Sequence, residues 1–171
     1  MERWPSGLEP DVLDVMERNR QRIMHYLVEK VSGKSNRSVH YRFEEGMSYE
    51  DKFRQVSEWW NDYRFHIAMA ARTPKEIIQL LGGTISKENY AIMLAARHKG
   101  MPFFLTPYYA SLMNTERGGY DDYAIRSYVL YSPELVHTYG SIRAWEKEDE
   151  VKGGEPNAAG WIVPEYQEPT E

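Results

Sequence analysis

Between Asp11 and Val31 the segment DVLDVMERNRQRIMHYLVEKV sets Val12, Val15, Met16, Ile23, Tyr26, Leu27 and Val31 at helical spacing, with arginines and glutamates between them. That spacing predicts an amphipathic helix with a charged outer face. Ser32 to Ser38 has loop composition, and Val39 to Phe43 alternates too briefly to predict a strand, so Ser32 to Met47 reads as a connector. Ser48 followed by Glu50 and Asp51 predicts a helix start, because a side-chain cap and early acidic residues satisfy and complement the first turn. This second helix runs on through YEDKFRQVSEWWNDYRFHIAMAART, with a break near Trp60. Thr73-Pro74 opens PKEIIQLL, which Gly82-Gly83 stops. Ser86 caps KENYAIMLAARHK, closed by Gly100 and Pro102, and Thr106-Pro107 opens PYYASLMN. After Asn114, TERGGYDD is a turn-rich break, and Ser132-Pro133 starts one more short helix through His137.

The predicted fold is therefore mainly α: an irregular bundle of about five or six helices with an extended C-terminal arm. Residues 1–47 form an N-terminal helix and connector, residues 48–140 a helical domain, and residues 141–171 the arm, where acidic residues, glycines and prolines surround one apolar patch at Trp161 to Val163. A chain of 171 residues has room for one core and no second catalytic domain.

Charge and composition narrow the function. A net charge of -5 with dispersed Arg and Lys argues against a nucleic-acid or anionic-membrane surface. No apolar run approaches a bilayer span and MERWPSGLEPD has no signal-peptide pattern, so a cytoplasmic protein is expected. The absence of cysteine excludes disulfides, thiolate nucleophiles and cysteine-ligated clusters from this chain. His25, His40, His66, His98 and His137 do not pair at the i, i+4 spacing of a helical zinc site, and read as ordinary surface or half-buried histidines. Gly82-Gly83 and Gly118-Gly119 are a helix stop and a turn rather than a phosphate loop. No catalytic, cofactor-binding or metal-binding residue is expected.

Two aromatic stretches stand out. In EWWNDYRF, helical spacing groups Trp60, Arg64 and Ile67 on one side and Trp59 with Tyr63 on another, which suits core anchoring better than base stacking on a net-acidic chain. In FLTPYYASLMN, Tyr108 and Tyr109 follow Pro107 at a helix start, and consecutive helical residues point about 100° apart. One ring is expected to face the core and the other the surface.

Together these stretches resemble the helical N-terminal region of the lysine 2,3-aminomutase and glutamate 2,3-aminomutase family of radical S-adenosylmethionine enzymes. The resemblance is carried by the Trp-Asn-x-aromatic-x-aromatic block at Trp60 to Phe65, the helix start at Ile85 to Glu88, and the Thr-Pro-Tyr-Tyr-x-Ser-Leu block at Thr106 to Leu112, in the same order. The first helix and YEDKFRQ look like the longer extension of the glutamate enzymes. Ser48 to Asn114 matches well and the remainder weakly. Near the end, Tyr166 is kept, while Glu165 and Pro169 stand where the family has arginines beside pyridoxal phosphate, so phosphate binding by this arm is not expected. The family's barrel, with its Cys-x3-Cys-x2-Cys ligands for a [4Fe–4S] cluster, its S-adenosylmethionine site and its aldimine lysine, would begin beyond Glu171. The resemblance thus implies a non-catalytic accessory subunit that docks on a separate barrel-bearing chain, which would carry the cluster, S-adenosylmethionine and pyridoxal phosphate; a homo-oligomer, a free-standing regulatory or ligand-binding module, and a subunit contributing groups in trans are the alternatives. The expected partner-binding residues are Trp59, Trp60, Asn61, Tyr63, Arg64, Thr106, Tyr108, Tyr109, Trp161 and Tyr166.

Overall fold

In the computed structural model, the described residues are 9–33, 38–116, 120–127 and 129–139. They form helices α1 (Pro10–Ser32), α2 (Tyr49–Trp59), α3 (Tyr63–Ala68), α4 (Pro74–Leu80), α5 (Lys87–His98), α6 (Pro107–Ser111), α7 (Tyr123–Ser127) and α8 (Pro133–Tyr139). The mainly α reading holds. Five of these helices have seven residues or more, while α3, α6 and α7 are segments of five or six residues. The C-terminal arm, with Trp161 and Tyr166, lies outside the described residues.

Local chemistry places most helix starts where the sequence predicts them. Ser48, Thr73, Ser86 and Thr106 each accept a hydrogen bond from the backbone N–H three residues on, at 3.1, 3.3, 3.1 and 3.2 Å. Each oxygen satisfies an N–H that the first turn leaves without a helical partner. Gly82 and Gly83 stop α4 with φ of 64° and 78°, a region that favours glycine, and a Cβ on Gly82 would meet the Arg22 guanidinium at 3.0 Å. That guanidinium donates to the Leu80 carbonyl at 2.8 Å, so an α1 side chain closes the end of α4.

The long helix α1 is the spine of the molecule. Its stripe of Val12, Val15, Ile23, Met24, Leu27, Val28 and Val31 is buried, and it packs against α2, α4 and α6. Around Ile23 to Val31 the core gathers Val56, Phe65, Ile77, Leu80, Leu81, Met93, Leu105 and Met113. One antiparallel bridge joins two distant segments of the chain. Ala71 and Leu105 exchange both backbone hydrogen bonds, at 2.8 and 3.0 Å, and so tie the segment after α3 to the segment before α6.

Candidate functional site

The predicted break near Trp60 is a full corner. Helix α2 ends at Trp59, and Asp62 in extended conformation starts α3, its carboxylate accepting from Arg64 N at 2.9 Å. A continuous helix would have kept Trp60 and Arg64 on one face. The corner separates them. Trp60 is buried at 7% exposure with the Arg20 guanidinium 5.6 Å from its ring, whereas Arg64 borders a different hollow with Ser38, His40, Tyr41 and Asp62.

Because the Ala71–Leu105 bridge sets α6 beside α3, the two aromatic stretches meet in space. Trp60, Asn61, Tyr63, His66, Ile67, Thr106 and Tyr108 line one open groove of about 490 Å³. Tyr63, Ile67 and Tyr108 line it while 66%, 46% and 52% exposed, so three large side chains with apolar surface stand together there. Tyr109, by contrast, is partly buried and packed on the core, so one ring of the pair faces inward and the other outward. Trp59 likewise turns away from the groove, into a cluster with Tyr41, Phe43 and Phe65.

At the back of the groove stands His66, 7% exposed. Its Nε2 lies 2.7 Å from the Trp60 carbonyl oxygen and its Nδ1 3.2 Å from the Tyr108 backbone nitrogen. A carbonyl can only accept and an N–H can only donate, so the ring is neutral, with its proton on Nε2. The histidine therefore occupies the last carbonyl of the α2 corner and an unpaired first-turn N–H of α6. Its ring sits edge-on to Trp60 and Tyr108, with centroids 4.8 and 5.8 Å away. Burial lowers its pKa below the ordinary histidine value, outweighing the Trp60 carbonyl and the Asp62 carboxylate, which both raise it.

The other end of α6 is held by Asn19, a buried polar residue on the apolar stripe of α1. Its amide donates to the Met113 and Ser111 carbonyls at 2.7 and 3.3 Å, and its oxygen accepts from the Thr115 hydroxyl at 2.5 Å. A five-residue helix is not stable alone, so α6 persists through its packing on α1 together with the hydrogen bonds from α1 and α3 at its two ends.

From the sequence His66 reads as an ordinary histidine, and Asn19 carries no expected role. A lone asparagine four residues from both Val15 and Ile23 on the buried stripe was the available signal for the second. For the first, the signal was absent, since its acceptor role depends on a residue 42 positions away. Among the described residues no group of three or more His, Asp or Glu is arranged to hold a metal, and no helix is long and apolar enough to cross a membrane.

Comparison with known proteins finds one informative likeness. The chain is similar to an uncharacterized KamA family protein of Methanocaldococcus jannaschii, 27% identical over 128 residues. The match covers 75% of this chain but 17% of the relative, so this chain corresponds to a small part of a much longer protein. No family model matches, and no solved structure matches.

Proposed function

We propose that this chain is a non-catalytic helical module that docks, through the groove between α3 and α6, on a separate radical S-adenosylmethionine aminomutase-like chain. The observation that carries this reading is that five of the seven residues lining the groove, Trp60, Asn61, Tyr63, Thr106 and Tyr108, come from the two blocks, Trp60 to Phe65 and Thr106 to Leu112, on which the resemblance to the aminomutases rests. The KamA family relative adds to it, being long enough to include, beyond the matched part, a domain of the size of a catalytic barrel. On this reading the [4Fe–4S] cluster, S-adenosylmethionine and pyridoxal phosphate belong to the partner. Tyr63, Ile67 and Tyr108 supply apolar contact, and Asn61 and Thr106 supply polar groups at the rim.

The test pairs the purified chain with a barrel-bearing aminomutase-like protein from the same genome and measures association by titration calorimetry. Tyr108→Ala is expected to leave the melting temperature nearly unchanged while weakening association by about 2 kcal/mol or more, roughly thirtyfold in Kd. Association that is indifferent to Tyr108 and Ile67 would remove the groove from the interface. No association at all, with the chain monomeric and well folded, would favour the free-standing module instead.

A further inference from the structure

We infer that His66 is a proton-sensitive latch on the groove: the wall formed by Tyr108 holds its position only while the imidazole is neutral. This concerns the groove of the proposed docking reading, but it is a property of the free chain and does not need the partner to exist.

The geometry leaves the ring one way to satisfy its neighbours. The Nε2–H donates to the Trp60 carbonyl, and Nδ1 receives the Tyr108 N–H. Adding a proton to Nδ1 sets two N–H donors against each other at a partly buried position, and the Tyr108 N–H loses its acceptor. The Tyr108 backbone must then leave the ring. Tyr108 is the second residue of a helix five residues long, so this movement shifts a large part of α6 and carries the exposed Tyr108 ring with it. The groove would change shape at its most prominent wall.

The charges around the ring do little to offset this. From α3 it is faced by Asp62, whose carboxylate already accepts from the Tyr41 hydroxyl and Arg64 N. Arg64 turns to the neighbouring hollow. From α1 comes Arg20, which lies over the Trp60 ring and opposes a second positive charge nearby. Helix α6 contributes the neutral Tyr108 and no charged residue. Burial is the larger influence and favours the neutral ring. A group whose folded pKa lies below its unfolded value stabilises the structure above the unfolded value. It gives up that stabilisation as pH falls through the folded value. The latch is therefore closed at neutral pH and opens on the acid side of the ordinary histidine range, near 6.5.

Nuclear magnetic resonance on the full chain without any partner tests this. The His66 ring nitrogens should report an Nε2–H tautomer at neutral pH and titrate below the ordinary value, with the Tyr108 amide shifting along the same curve. In His66→Asn, the Asn Oδ1 takes the place of Nδ1 as acceptor and does not titrate, so the Tyr108 amide should lose its pH dependence over this range. A Tyr108 amide that stays flat while His66 titrates would overturn the latch, as would a ring titrating at the ordinary value. Simultaneous loss of dispersion in α1 and α5 amides would also overturn it, by showing general acid unfolding. If His66→Asn does not fold, the coupled or uncoupled titration of the unaltered chain still decides.

Discussion

Trp59 and Trp60 are neighbours in the chain and face two different kinds of environment. Trp59 lies in a cluster of rings, 5.4 Å from Tyr41, 5.5 Å from Phe43 and 5.4 Å from Phe65, packed against the core. Trp60 is the more buried of the two, yet its surroundings are an arginine, a histidine hydrogen-bonded to its carbonyl, and an open groove. The corner at residues 60–62 makes the difference, because it turns one aromatic stretch into two faces. On the closed face, rings meet rings and their contact area stabilises the fold. On the open face, hydrogen bonds from His66 and Asn19 hold the helix that carries Tyr108, and the Tyr63 and Tyr108 rings stay exposed.

The contrast is most severely broken at its closed side. Phe65 is fully buried and touches Tyr41, Trp59 and His66, so Phe65→Ala is expected to lower unfolding free energy by about 3–5 kcal/mol, read from the denaturant midpoint. A loss near that of an exposed residue would mean that the cluster is not the anchor of the corner. On the open side, Asn19→Ala strands the Met113 and Ser111 carbonyls and should cost about 1–3 kcal/mol. Amide exchange should then rise in residues 108–113 before it rises in α1. Uniform exchange would show that α6 is held by its apolar contacts instead.

The smallest effect sharpens the boundary between the two faces. Burial, and then its bond to Asp62, push the Tyr41 hydroxyl up to about 12, while that 2.6 Å bond, followed by the Arg64 N–H, holds Asp62 below its ordinary value. Tyr41→Phe should cost about 1 kcal/mol near neutral pH. A depressed carboxylate contributes stability that is present above its unfolded value near 3.9 and lost as pH falls through the folded value. Removing the hydroxyl should therefore flatten the acid limb of the stability curve. An unchanged limb would show that the Arg64 N–H alone keeps Asp62 ionised.

Much of this architecture is legible residue by residue. The caps at Ser48, Thr73, Ser86 and Thr106 were readable because a side chain three residues before an N–H reaches it whatever the rest of the chain does. The opposite directions of Tyr108 and Tyr109 came from helical geometry once Pro107 marked the start. The grouping of Trp60 with Arg64 assumed a continuous helix, and the corner defeated it. The meeting of Trp60 with Tyr108 was not readable from spacing, since it depends on the Ala71–Leu105 bridge between distant segments.

The sequence by itself determined where α2, α4, α5 and α6 start, which stripe of the first helix is buried, and that this chain has no thiolate to hold an iron–sulfur cluster. Those properties depend on bonds spanning a few residues, or on composition alone. Only the tertiary structure decided that the two aromatic stretches share a groove, that His66 is neutral with its proton on Nε2, and that Asn19 and His66 hold the tyrosine helix at its two ends. The physical reason is that a hydrogen bond's direction and a side chain's burial depend on which distant segment arrives beside it, and five-residue α6 is stable only where those partners have already been assembled.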